Sequence, residues 1–269
     1  MSKYKKYKHK LNKNFSISQN FMTSRLLLER ITNISTIGKN DTVIEIGTGK
    51  GHLTYILSKK CEHLYSIEID KRLIEIAKQR LLGIKNINLI YGDFLNYQLP
   101  KTGKYKVFAN IPFSLTTKIV EKLTQAVSPP QDIWLVVEKG AAKRFMGTPS
   151  ENNKSLLIKP FWETEIKYHF RRDDFHPKPS VDSVLIHFSK KDVPDIDKAE
   201  TADYKTFVTH SLKYGLLSNR ALLTKKQVSK ALKLSNLPPL FNDSDTLYSQ
   251  WICLFQCYKK FKKLRNPRR

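Results

Sequence analysis

Residues 43–51 read V-I-E-I-G-T-G-K-G, and this stretch restricts the possible folds of the chain more than any other. Val43, Ile44, Glu45 and Ile46 have the apolar character of a buried strand end. Gly47, Gly49 and Gly51 follow, and an apolar-periodic segment at 52–57 then begins a helix. Strand, glycine turn and helix in succession open a Rossmann-like unit. The glycines let the chain turn sharply and let a ligand approach bare main chain. A second landmark agrees. Ile67-Glu68-Ile69-Asp70 closes the next apolar run. Glu68 stands about 20 residues beyond Gly47, the spacing at which a carboxylate of such folds meets ribose hydroxyls.

The turn alone leaves three readings open: a methyltransferase, a nucleotide enzyme, or a merely structural turn. G-x-G-x-G lacks the third glycine of the dinucleotide pattern, and Lys50 is not part of a P-loop ending. A glutamate before the first glycine and an acid after the second strand fit S-adenosylmethionine better. That ligand offers a ribose and a sulfonium and has no phosphates to cradle.

Charge narrows the partner. The chain has 269 residues with 48 lysines and arginines against 24 acids, a formal net charge of +24. A two-to-one excess of cations repels itself, and a polyanion relieves that repulsion, so nucleic acid is the leading partner and an acidic membrane surface the second. Cys61, Cys253 and Cys257 have no C-x-x-C or zinc spacing, so no metal is expected. The cysteine usage makes a reducing cytoplasm the default. No apolar leader segment and no run of 18 apolar residues is visible, so no secretory signal and no membrane span are expected. The chain is expected to act as a monomer.

Along the chain, strands are expected at 63–69, 88–91, 106–109, 133–137, 168–171 and 183–189 in addition to the first. Helices are expected at 23–34, 71–81, 116–127 and 138–145, with Thr23 or Ser24 capping the first of them. Residues 146–154 read as an exposed loop. Pro177 and Pro179 bar 174–179 from regular structure. This alternation makes an α/β fold with a parallel sheet. After Lys190-Lys191-Asp192-Val193-Pro194 the composition shifts, and 201–215, 219–234 and 246–258 read as helices. The expected organisation is a basic arm (1–14), a Rossmann-like S-adenosylmethionine-binding catalytic domain (15–190), a small helical RNA-binding domain (191–258) and a basic tail (259–269).

In an open parallel sheet the ligand lies beyond the carboxyl ends of the strands. Gly47, Glu68, Asp93 and Asn110 each follow a successive strand and are expected to converge there. Gly47 and Gly49 would admit the methionine part of the cofactor. Glu68 would accept from ribose hydroxyls and Asp93 from the adenine amine, with Ile69 and Phe94 beside them. Asn110 offers a donor and an acceptor at the reacting end. Asn110-Ile111-Pro112-Phe113 is the most specific motif. It resembles the [DNS]-[IL]-P-[YF] signature of enzymes that methylate exocyclic amino groups of bases. An adenine N6 lone pair is delocalised and poorly nucleophilic. The Asn110 side-chain oxygen and the Ile111 carbonyl can accept its hydrogens and localise it, Pro112 stiffens the turn, and Phe113 stacks on a flipped base.

With these residues in place, the chain resembles the Erm family of rRNA adenine N6-methyltransferases. The likeness spans nearly the whole chain, including Ser18-Gln19-Asn20-Phe21, Glu45 to Gly51, Glu68-Ile69-Asp70, Gly92-Asp93, Asn110-Ile111-Pro112-Phe113 and Phe175-His176-Pro177-Lys178-Pro179. The resemblance implies that Asn20, Met22, Gly47, Glu68, Asp93 and Asn110 contact S-adenosylmethionine, and that Phe113 and Phe175 sandwich the target adenine. It further implies a single adenine in the peptidyl-transferase region (domain V) of 23S rRNA as substrate, and resistance to macrolides, lincosamides and streptogramin B. Many members have tyrosine where Phe113 stands, a difference that should cost at most one hydrogen bond. Two rival readings are a housekeeping dimethyltransferase of small-subunit rRNA and a non-catalytic RNA-binding protein on the same fold.

Overall fold

The computed structural model describes residues 20–265, with side chains as far as Lys262. The expected arm at 1–14, residues 15–19 and the tail from 266 lie outside the described residues. The chain divides into two compact units, one holding residues up to 142 with 164–190 and the other 143–163 with 191 onward.

The first unit is built on a sheet. Its elements run α1 (Arg25–Ile34), β1 (Thr42–Ile46), α2 (His52–Ser58), β2 (His63–Glu68), α3 (Lys71–Arg80), β3 (Ile87–Tyr91), β4 (Lys106–Asn110), a 3-10 turn (Phe113–Leu115), α4 (Thr116–Thr124), β5 (Asp132–Glu138), α5 (Lys139–Met146), β6 (Trp162–His169) and β7 (Ser183–Lys190). The strand order is β3-β2-β1-β4-β5-β7-β6. β3, β2, β1, β4 and β5 pair in parallel, and β7 runs antiparallel to β5. The sheet is therefore mixed, where an all-parallel sheet was expected. The 13 residues between β6 and β7 carry only a short 3-10 turn (Arg172–Asp174), and no helix is there to build a parallel crossover.

The central strands are apolar runs because both faces are covered. Val43, Ile44, Val107, Phe108 and the whole apolar stretch of β5 are buried. Ser24, whose side chain accepts from the Leu27 amide at 3.4 Å, caps α1. Leu27, Leu28 and Ile31 then fall on one face. Fully burying side chains such as Leu28 and Ile31 stabilises the fold by about 1.5–3 kcal/mol each. Asp70 caps α3 through the Arg72 amide at 2.8 Å.

The second unit contains α6 (Asn153–Ile158), a 3-10 turn (Lys198–Glu200), α7 (Thr201–Tyr214), α8 (Lys225–Leu234) and α9 (Tyr248–Arg265). Its core gathers Leu156, Tyr204, Phe207, Leu232, Trp251 and Phe255. Residues 143–163, which take in the end of α5 and the first two residues of β6, were expected in the first domain. They belong here because α6, started by an Asn152–Ser155 capping box, buries Leu156 in this core. The capping box Thr224–Gln227 starts α8 later than the expected residue 219. α9 continues through the expected boundary at 258, so the first part of the basic tail is helix.

Candidate active site

The carboxyl ends of β1 to β4 open onto one cleft of about 120 Å³ within the first unit. Gly47, Gly49, Glu68, Ile69, Asp93, Phe94, Asn110, Ile111, Pro112 and Phe113 all line it, together with Asn20 and Met22.

The glycine turn is held from two sides. The Gly47 amide donates to the Ile67 carbonyl at 2.8 Å, extending the ladder one step past β1. Gly49, at φ +56°, lies under the Phe21 ring, and a Cβ there would stand 3.1 Å from a ring carbon. Gly51, at φ +79°, starts α2 against Ala77 of α3, where a Cβ would meet the alanine methyl at 3.3 Å. These are positions that L-residues with side chains avoid.

Glu68 ends β2 and is 3% exposed. Its Oε2 accepts from the Gly49 amide and its Oε1 from the Asp70 amide, both at 2.8 Å. Burial pushes its carboxyl pKa up, while the amides of Asp70, Gly49 and Ile69 pull it back. A carboxylate has about four acceptor sites, so Glu68 keeps acceptor capacity for a ligand hydroxyl.

Asp93, at the end of β3, accepts from the Leu95 amide at 2.8 Å and from Asn96 Nδ2 at 3.2 Å. Lys122 of α4 ties this loop down through the carbonyls of Leu95 (2.8 Å) and Tyr97 (2.6 Å), with its Nζ 5.4 Å from the Phe94 ring centre. Asn110 ends β4, and its Nδ2 donates to the Asn20 carbonyl at 2.7 Å. That bond fixes the amide, leaving Oδ1 as an acceptor. Pro112 (φ −58°) then leads into the 3-10 turn, which the Thr116 hydroxyl closes on the Phe113 carbonyl at 2.9 Å.

Phe175 departs from the expectation. It does not line the cleft. Its side chain is 3% exposed and packs edge-on against Phe170 at 5.3 Å, in the core cluster that also holds Met22 and Leu28. The neighbouring His176 pairs with Phe21 through two main-chain bonds of 2.9 and 2.8 Å. Phe175 is thus a wall behind residues 20–22. It cannot stack on a base without leaving that core.

Several lining residues escaped the sequence reading, among them Thr48, Lys50, His52 and Leu115. Lys50 places its Nζ 5.8 Å from the centre of the Phe21 ring. Position next to the glycines was the available signal for Thr48 and Lys50. Beneath the turn lies a further polar group. Glu45 is completely buried, and Ser66 Oγ donates to its Oε2 at 2.6 Å. Thr48 Oγ1 lies 2.6 Å from Ser66 Oγ, and either hydroxyl can be the donor. Glu45 Oε1 has no hydrogen-bond partner among the described residues. Burial pushes this carboxyl up to about 8, against the hydroxyls of Ser66 and Thr54 and with the help of the Glu68 charge. Glu45 is therefore largely protonated at neutral pH.

A parallel core of five strands, a glycine turn after the first and an acidic end on the second define a Rossmann-like methyltransferase that takes its methyl group from S-adenosylmethionine. The chain belongs to the ribosomal RNA adenine dimethylase family, whose model matches residues 10–253. It is 37% identical over 250 residues to an rRNA adenine N-6-methyltransferase of Lysinibacillus sphaericus, covering 92% of this chain and 98% of the relative. It is 37% identical over 251 residues to one of Staphylococcus aureus, covering 93% and 98%. Among solved structures, the fold is similar to that of the 23S rRNA methyltransferase ErmE (TM-score 0.78, 23% identity, 89% of this chain and 100% of the other). It is also similar to a dimethyladenosine transferase of Plasmodium falciparum (TM-score 0.69, 21% identity, 90% and 98%). The chain is an rRNA adenine N6-methyltransferase. Among the described residues no helix is long and apolar enough to cross a membrane.

Proposed function

We propose that this enzyme methylates the exocyclic N6 of a single adenine in the peptidyl-transferase region (domain V) of 23S rRNA. It acts as a cytoplasmic monomer and gives resistance to macrolides, lincosamides and streptogramin B. The observation that carries the reading is the turn Asn110-Ile111-Pro112-Phe113 on the rim of the same cleft as Glu68 and the glycine turn. Asn-Ile-Pro-Phe and the strongly basic C-terminus favour this substrate over small-subunit rRNA.

The residues present fit S-adenosylmethionine. Positive-φ glycines leave bare main chain at the cleft, and Glu68 is buried with acceptor capacity to spare. Gly47, Gly49, Asn20 and Met22 would hold its methionine part, Glu68 with Ile69 its ribose, and Asp93 with Phe94 its adenine. The bound cofactor supplies an electrophilic sulfonium methyl. The protein orients the nucleophile. Asn110 Oδ1, held outward by the Nδ2 bond to Asn20, accepts one N6 hydrogen, and the Ile111 carbonyl accepts the other. Both acceptors localise the lone pair, so positioning and electrostatics do most of the catalysis. Phe113, half-buried on the rim, supplies the stacking face for the extruded base. Stacking against Phe175 is not part of this proposal, because that ring belongs to the core.

The test is to map N6-methylated nucleotides in rRNA after expression in a susceptible host, alongside macrolide susceptibility. Methylation of a 23S peptidyl-transferase adenine with raised resistance supports the proposal. Methylation of neighbouring adenines near the 3′ end of small-subunit rRNA would assign the housekeeping activity. Cofactor binding measured on the same protein separates both from a non-catalytic RNA binder.

A further inference from the structure

The second unit carries a patch that the methyl-transfer chemistry does not use. Between residues 204 and 242 the sequence has seven lysines and arginines and not one carboxylate. Elsewhere in this unit four cations are answered by acids: Lys159 by Glu151, Lys191 by Asp195, Lys259 by Glu200 and Lys262 by Asp203. Among the described residues, none of the seven makes such a pair.

Tyr214, the last residue of α7, brings two of the seven together. Lys213 Nζ stands 4.9 Å and Arg220 Cζ 5.7 Å from the centre of its ring. The His210 ring is 4.7 Å away and tilted by 49°, with its Nδ1 buried and without a hydrogen-bond partner. The following turn is fixed. Gly215 sits at φ +86° against Asp243, where a Cβ would fall 2.5 Å from Oδ2, and the Leu216 amide donates to Asp243 Oδ1 at 3.0 Å. Arg220 itself is exposed, in a short turn that the Ser218 side chain ties to its amide at 3.1 Å. A half-buried aromatic and an exposed planar guanidinium on a fixed turn, with Lys213 beside them and neither cation in an ion pair among the described residues, match the way proteins hold unstacked bases of RNA. A simple polyanion needs no aromatic ring.

We infer that Tyr214 and Arg220 form a stacking platform for an unpaired nucleobase of the ribosomal RNA, distinct from the target adenine, and that Lys213 holds an adjoining phosphate. The inference rests on the rRNA reading but not on which rRNA is modified.

The probes are a short single-stranded oligo(U) RNA, whose bases lack the exocyclic amine that the cleft recognises, and an RNA duplex of equal length. Binding of each to the full-length protein is followed by fluorescence anisotropy over a salt series. Arg220→Ala and Tyr214→Ala should each weaken oligo(U) binding about tenfold, with duplex binding, S-adenosylmethionine affinity and melting temperature unchanged. Tyr214→Phe should bind as the wild type does. Lys213→Gln should make the logarithmic salt slope shallower by about 0.7, the value of one single-strand phosphate contact. Wild-type oligo(U) affinity in Arg220→Ala and Tyr214→Phe,Arg220→Ala would overturn the platform. Equal losses on duplex and single strand would overturn it too, by revealing only a charge coat. Should methylation map to small-subunit rRNA, the 23S assignment falls while the platform is still judged on oligo(U).

Discussion

Replacing Glu45 with glutamine tests the reading of the buried network most sharply. Glu45 is fully buried, its Oε2 accepts from Ser66, and its Oε1 has no partner among the described residues. Its carboxyl moves from 4.5 to about 8, with burial as the largest cause. The folded state keeps this proton to higher pH than the unfolded chain does. The stabilising contribution of the neutral carboxyl is therefore full below about pH 4.5 and is lost as pH rises through about 8. One proton corresponds to about 1.4 kcal/mol per pH unit, so the whole interval amounts to on the order of 5 kcal/mol. That is a large part of a typical domain's stability of about 5–15 kcal/mol. Glutamine keeps the shape and the acceptor for Ser66 and cannot ionise. Urea denaturation of wild type and Glu45→Gln at pH 5, 6, 7, 8 and 9 gives the difference directly. The Glu68 carboxyl, also raised by burial, titrates in both proteins and largely cancels. The variant should gain on the wild type at close to one proton's slope up to about pH 8, and the gain should then level off. A difference that stays constant with pH would show an ordinary, ionised Glu45 and refute the argument.

Glu68→Ala should weaken S-adenosylmethionine binding by about 1.5–3 kcal/mol, and it also strips the Gly49 and Asp70 amides of their acceptor. Calorimetry reads this, and unchanged affinity in a folded variant would remove Glu68 from the site. Phe113→Tyr should keep most activity and Phe113→Ala should lose it with cofactor affinity intact, since base stacking contributes about 1–3 kcal/mol. Methylation of rRNA by Phe113→Ala at the wild-type rate would dismiss the stacking role. Gly51→Ala should cost about 1–2 kcal/mol of stability from its positive φ alone, with crowding against Ala77 in addition. An unchanged melting temperature would contradict the turn geometry.

What the sequence revealed and what it hid follow from the kind of signal each residue carries. Glycine turns and acids at strand ends are local patterns, and a parallel sheet brings successive strand ends to one edge. Gly47, Glu68, Asp93 and Asn110 could thus be assigned to one crevice before any coordinates. Phe175 lies in a proline-rich segment with no period, so nothing in the sequence told which way its ring pointed. The bridge between Phe21 and His176 turned it into the core. The helix Asn153–Ile158 has a legible capping box, but six residues give too little periodicity to separate it from a loop.

Glu45 shows a further limit, and it bears on how the cleft works. A chain with a net charge of +24 has cations in abundance, yet no lysine or arginine among the described residues bonds to Glu45 or Glu68. Hydroxyls serve the first and main-chain amides the second. A lysine paired with Glu68 would occupy the acceptor positions that ribose hydroxyls need, and it would add positive charge where a sulfonium must sit. The amides of Gly49 and Asp70 each take one acceptor position and add no net charge. The neutral Glu45 has a complementary effect. Were it ionised, two buried negative charges would share one turn, and each would raise the pKa of the other. Protonating the deeper group removes that mutual repulsion, and Glu68 is the acceptor that faces the cleft. The cofactor cleft thus holds its buried acids without ion pairs among the described residues.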